Sequence, residues 1–110
     1  FRRAQTFKTN LLQVGALEMD LEKRVVTRDE QVINLTGKEY ALLEFLMRNK
    51  GKTVSQSMII EHIWDRNYDG LSNIVNVYIN HLRERIDKNF KQKYIKTIRG
   101  VGYKIDDKDI

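Results

Sequence analysis

The chain has 110 residues, of which 41% are hydrophobic and 32% charged, with no cysteine and a formal net charge of +5. That suffices for one modest core but not two, in a globular rather than a disordered chain. No apolar run approaches the ~20 residues of a membrane span, no signal segment opens the chain, and disulfides and cysteine metal sites are excluded.

The lack of cysteine fits a reducing cytosol, and the net positive charge favours an anionic partner, as a statement about binding rather than fold. Residues 1–10 (FRRAQTFKTN) are polar, carry no acid and show no periodicity, so they read as a linker or tail, with the folded domain spanning 11–110. The start at Phe1 rather than Met suggests a piece of a longer protein.

Four short strands are expected next, at Leu12–Val14, Leu17–Leu21, Arg24–Thr27 and Val32–Leu35. Leu17, Met19 and Leu21 alternate with Glu18 and Asp20, a period of two that buries one face. The pattern suggests an antiparallel meander with one wet face, its acids read as solvated hairpin charges rather than catalytic groups. Thr36-Gly37-Lys38-Glu39 fits a capping box, and Tyr40, Leu43, Leu46 and Met47, broadened by Leu42 and Phe45, follow helical spacing to Asn49-Lys50-Gly51. Thr53-Val54 is a short extended piece. Ser55 can cap a second helix from Gln56 to about Trp64, burying Ile59, Ile60 and Ile63. Residues 65–70 form a loop by composition. A third helix runs from Leu71 or Ser72 to about Asp87, and two strands, Tyr94–Ile98 and Tyr103–Ile105, flank an Arg99-Gly100-Val101-Gly102 turn.

The predicted fold is therefore α+β: a winged helix-turn-helix with an N-terminal four-stranded antiparallel sheet, three helices and a C-terminal β-hairpin wing. Residues 79–104 hold eight Lys/Arg against two acids, a local excess that exceeds the net charge of the whole chain. In the third helix Val75, Ile79, Leu82 and Ile86 form the stripe expected to be buried. The opposite face holds Asn73, Ile74, Val77, Asn80, His81 and Glu84. Such short polar and apolar side chains can read base edges, asparagine pairing with adenine and valine packing on a thymine methyl. A solvated face explains the same residues without DNA. Arg83 and Arg85 sit on the flanks, where cations suit phosphate contacts or pairing with acids. Gly100 and Gly102 permit backbone angles that other residues avoid, and Arg99 at a hairpin tip can enter a narrow minor groove, although an ordinary turn with an exposed arginine has the same sequence.

No nucleophile–base–orienter set can be assembled, and His62 and His81 lie on different helices without partners at metal spacing, so neither an enzyme nor a cofactor or metal site is expected. A winged-helix module that docks an acidic protein remains an alternative. It would lack the steep salt dependence of a DNA reader.

The segments LTGKEYALLEFLMRNKG, VSQSMIIEHIW, SNIVNVYINHLRERID and IKTIRGVGY, at their spacing, resemble the effector domain of the OmpR/PhoB family of bacterial two-component response regulators, over about residues 12–106. The resemblance implies a third helix in the major groove, with Asn73, Val77, Asn80 and His81 facing bases or nearby backbone. It places Trp64, Tyr78, Arg83, Thr97 and Tyr103 where relatives contact phosphates, and Arg99 at the minor-groove wing position. Arg66, Asn67, Tyr68 and Asp69 fall in a loop that in some members touches RNA polymerase. It further implies a receiver domain ahead of residues 1–10, an upstream histidine kinase, a cytoplasmic bacterial protein, and a domain that is monomeric alone and pairs on tandem direct half-sites of duplex DNA. Many relatives carry arginine where this chain has Asn80 and His81, which predicts weaker guanine readout and a site richer in A·T.

Overall fold

The computed structural model describes residues 10–64 and 71–107. Strands β1 (Leu11–Val14), β2 (Leu17–Asp20), β3 (Val25–Arg28) and β4 (Gln31–Ile33) form an antiparallel sheet in that order. The period of two does what it predicts in β2: Leu17 and Met19 are fully buried while Glu18 and Asp20 are not. All four strands differ from the expected bounds: β1 starts one residue earlier, β2 ends one residue earlier, and β3 and β4 shift for reasons of turn geometry. β3 starts one residue later because Arg24, at φ +56°, closes the preceding turn, where Asp20 Oδ1 accepts the backbone N–H groups of Glu22 and Lys23 at 3.1 Å each. Asp20 is thus a turn-forming side chain and not merely a solvated charge. β4 starts one residue early, at Gln31, because Asp29 and Glu30, at φ +52° and +68°, make a two-residue turn that pairs Arg28 with Gln31, and it ends at Ile33. Leu35 packs on the core from the segment before Thr36 instead of extending the strand.

Helix α1 (Gly37–Arg48) opens with the expected reciprocal cap, Thr36 Oγ1 accepting from Glu39 N–H and Glu39 Oε1 accepting from Thr36 N–H. It buries Tyr40, Leu42, Leu43, Leu46 and Met47 and contacts both sheets as well as the other two helices. Helix α2 (Gln56–Ile63) is capped by Ser55, whose Oγ accepts from Met58 N–H at 3.1 Å. Helix α3 (Leu71–Ile86) buries Val75, Ile79, Leu82 and Ile86 completely. β6 (Ile95–Ile98) and β7 (Gly102–Ile105) make the C-terminal hairpin, and β5 (Val54–Ser55) joins its far edge in the order β5-β7-β6. The short extended piece at Thr53-Val54 is therefore a third strand, which ties the start of α2 to the wing. That pairing also explains Gly102. Its φ lies outside the left-handed region, unlike Gly100 at +77°, but a Cβ there would collide with the Val54 carbonyl oxygen. Gly102 is needed for strand packing rather than for an unusual turn angle.

The sheets and α3 are joined by a buried ion pair. Arg28 and Asp87 are each 2% exposed, with Nη1 to Oδ1 at 2.7 Å. Arg28 also donates to the carbonyls of Ile86 and Gln92, and its guanidinium lies 4.1 and 4.0 Å from the ring centroids of Phe90 and Tyr94. Asp87 further accepts the backbone N–H groups of Tyr94 and Ile95 at 3.0 Å each. The first sheet, the end of α3 and the start of β6 thus meet at one charge pair.

Tyr40 is 5% exposed and its hydroxyl has no hydrogen-bond partner. Burial raises its pKa above the usual 10.0, an effect opposed by the Arg24 guanidinium 4.2 Å above the ring. The phenol form is therefore favoured in the fold. Its contribution is complete below the unfolded pKa and is lost as pH rises through the raised folded value. Tyr40→Phe removes an unpaired buried hydroxyl, so the unfolding free energy from urea titration at neutral pH should stay equal or rise, by up to about 1 kcal/mol. The variant should lose less stability than the parent above about pH 10. A marked loss at pH 7 would contradict the unpaired hydroxyl.

Candidate nucleic-acid interface

With its apolar stripe fully buried, α3 turns Asn76, Val77, Asn80, His81 and Glu84 to the exterior. Val77 is 45% exposed, high for a large aliphatic group on a helix that already buries a full stripe. Ile74, expected on this outer face, is half-buried and packs on the core. Its angular position about the helix is close to that of Tyr78 and Arg85, toward the flank shared with α1 and α2. The side chain of Asn73 and residues Arg66, Asn67, Tyr68 and Asp69 lie outside the described residues.

The remaining candidates fall into two groups, one on each flank of α3. On the wing side, Arg83 Nη2 donates to Thr97 Oγ1 and the Tyr103 hydroxyl donates to Asn76 Oδ1, both at 2.6 Å. Tyr103 is only 4% exposed, so its hydroxyl is engaged with α3 and does not stand free on the surface. These two bonds fasten β6 and β7 to α3. Asn76 is a residue that the sequence reading passes over. An asparagine beside the outer face gives no periodic signal, and its partner lies 27 positions away.

On the other flank, the rings of Trp64 and Tyr78 meet edge to face at 5.1 Å, and Tyr78 lies 5.9 Å from the His81 ring. Lys38 reaches across from α1, donating to the Ile63 carbonyl at 2.9 Å. Glu39, recognised from sequence only as a capping residue, is buried below this flank and takes Arg85 Nε at 3.3 Å and His81 Nδ1 at 3.7 Å. Arg85, whose partner the sequence leaves open, is thus paired with an acid. His62 stacks on Phe45 at 4.4 Å and stands apart from the outer face of α3.

Arg99 is exposed at the end of the hairpin, where Val101 N–H donates to the Ile98 carbonyl at 3.0 Å across the turn. A cleft of about 400 Å³ separates this turn from the N-terminal end of α2, with Ser55, Gln56, Thr97 and Arg99 among its lining. Not every cation of the basic segment faces outward. Lys93 Nζ donates to the carbonyls of Asp87 and Phe90 at 2.7 Å each and closes the end of α3. Among the described residues, no group of three His, Cys, Asp or Glu side chains could hold a metal ion, and no helix is long and apolar enough to cross a membrane.

Residues 29–105 match the family described as "Transcriptional regulatory protein, C terminal". The chain belongs to this family, that of the OmpR/PhoB effector domains. The effector domain is 41% identical over 105 residues to the transcriptional regulatory protein CusR of Escherichia coli K12, covering 96% of this chain and 46% of CusR. It therefore spans about half the length of that relative. Its structure is similar to the response regulator DrrB of Thermotoga maritima, an OmpR/PhoB homologue, at 34% identity and a TM-score of 0.76, covering 88% of this chain and 44% of DrrB. It is also similar to the Klebsiella pneumoniae RstA DNA-binding domain solved with the RstA box, at 25% identity and a TM-score of 0.79, covering 89% of this chain and 98% of that one. The relatives are transcriptional regulators, and the expected winged helix-turn-helix is the fold they share.

Proposed function

We propose that this domain binds duplex DNA sequence-specifically as the effector of a two-component response regulator, with the outer face of α3 in the major groove and Arg99 in the adjacent minor groove. The observation that carries the reading is the pairing of a fully buried stripe with an exposed opposite face of Val77, Asn80 and His81. These are short side chains able to meet base edges, on a helix held rigidly from behind. Asn73 belongs to the same helix and is assigned with them. The flanking groups suit phosphate contacts, which set register without reading sequence. Trp64 and Tyr78 serve one strand, Arg83 and Thr97 the other, and Tyr103 acts through Asn76.

Residues 1–10 are proposed as the end of a linker from a receiver domain, since relatives such as CusR are about twice as long. Phosphorylation of that receiver by a histidine kinase would pair two effector domains on tandem direct half-sites. Arg66–Asp69 are kept as a proposed RNA polymerase contact, and the setting is a bacterial cytoplasm.

Selection of random duplex DNA by residues 1–110 at near-physiological salt tests the reading. Tandem half-sites should be enriched, with A·T-rich steps under Asn80 and His81, and affinity should fall by roughly one power of salt concentration for each phosphate neutralised. No enriched sequence, or binding insensitive to salt, would overturn it.

A further inference from the structure

Glu39 is a buried carboxylate, 3% exposed, whose two oxygens have different surroundings. Oε1 accepts the Thr36 backbone N–H at 3.0 Å in the cap of α1 and lies 3.3 Å from Arg85 Nε. Oε2 faces His81 Nδ1 at 3.7 Å, longer than a hydrogen bond but well within electrostatic range. An ionised carboxylate only accepts, so a lone pair on Nδ1 aimed at it would be repelled and a proton there is favoured. The remaining groups around the imidazole are Tyr78, Glu84 and Arg85 from α3 and Thr36 at the cap of α1, which with Glu39 line a cleft of about 410 Å³. The His81 side chain is nevertheless 51% exposed, which leaves its outer edge accessible.

We propose that Glu39 is a positioning residue for base readout: by holding the His81 proton on Nδ1, it presents Nε2 to the major groove as a hydrogen-bond acceptor. An acceptor selects base edges that carry an amino group, N6 of adenine or N4 of cytosine, and is unsatisfied against guanine O6 and N7 or thymine O4. This inference rests on the reading of α3 as the major-groove helix and deepens it, because it assigns the sense of one hydrogen bond rather than only the residue that makes it. It links two features that sequence treats separately, the start of α1 and the base preference of α3.

Glu39→Gln isolates the effect. Glutamine also serves at this position of a capping box, so its carbonyl can still accept from Thr36 N–H. Its NH2 group then stands where Oε2 stood and turns its positive N–H edge toward Nδ1, which favours a lone pair there. The proton moves to Nε2, and the outward atom becomes a donor. Duplex selection at about pH 8, above the ordinary range of imidazole titration, should enrich adenine or cytosine at the step facing His81 in the parent. In Glu39→Gln the preference at that step should swing toward guanine or thymine by about tenfold, the scale of one hydrogen bond made or left unmade. The same substitution in a His81→Ala background should leave that step unchanged, which separates the effect from a general shift of α3. Nitrogen-15 spectra of the DNA-free protein should report Nδ1–H in the parent and Nε2–H in Glu39→Gln. An Nε2–H tautomer in the parent, or DNA binding whose preference at that step is the same in both proteins, overturns the inference while leaving the DNA-binding reading intact. If the parent enriches no sequence at all, the reading itself falls and the inference falls with it.

Discussion

Asp87→Ala is expected to destabilise the domain by about 4–5 kcal/mol, at the upper end of what a single substitution does. The carboxylate sits among three donors: the Arg28 guanidinium at 2.7 Å and the Tyr94 and Ile95 backbone N–H groups at 3.0 Å each. Its removal strands a buried cation and leaves two buried backbone donors unpaired, each of which carries its own desolvation penalty. Arg28→Met should cost less, about 3 kcal/mol, because Asp87 keeps both backbone donors and methionine retains apolar contact with Phe90 and Tyr94. Small domains carry about 5–15 kcal/mol in total, so Asp87→Ala should leave a marginal fold with a much lower urea midpoint. Urea unfolding followed by tryptophan fluorescence checks the order, since Trp64 is the single tryptophan. A loss under about 1 kcal/mol for Asp87→Ala, or a larger loss for Arg28→Met, would show that the pair does not hold the sheets and α3 together.

Arg99→Ala is expected to weaken duplex binding by about 10- to 100-fold at near-physiological salt, with an unchanged urea midpoint. The stability half of the expectation follows from the turn. Its closure is a backbone bond from Val101 N–H to the Ile98 carbonyl, and Gly100 supplies the positive φ, so the hairpin does not depend on the Arg99 side chain. The binding half follows from the enhanced negative potential of a narrow A·T minor groove, which attracts an inserted arginine. Two further changes should accompany the loss. The dependence of log affinity on log salt should become shallower by about one, and the preference for A·T at the positions under the wing should relax. Titration of a selected duplex over a range of salt concentrations measures both. Parent-like affinity in Arg99→Ala would remove the wing from the interface.

Much of the fold is legible along the chain because the decisive signals are local and repetitive. Leu17 and Met19 alternate with acids, Val75, Ile79, Leu82 and Ile86 recur at helical spacing, and Thr36 and Glu39 stand three residues apart, so each pattern reports its own element. The strand limits are less legible, since turn geometry at Arg24, Asp29 and Glu30 moved β3 by one residue and thereby turned Arg28 inward. Arg28 could have been suspected from its alternation with Val26, but only a correctly bounded strand displays that alternation.

What the sequence determined by itself is therefore the element order, the buried stripe and the basic segment that ends in Arg99, all properties of neighbouring residues. Only the tertiary structure decided which polar group each side chain meets. Arg28 finds Asp87 from 59 positions away, Arg83 finds Thr97, Tyr103 finds Asn76, and Glu39 reaches His81 and Arg85 on another helix. No periodicity encodes such choices. Burial removes water as a partner, and each desolvated donor or acceptor must then take whatever group the packing of distant elements brings within about 3 Å.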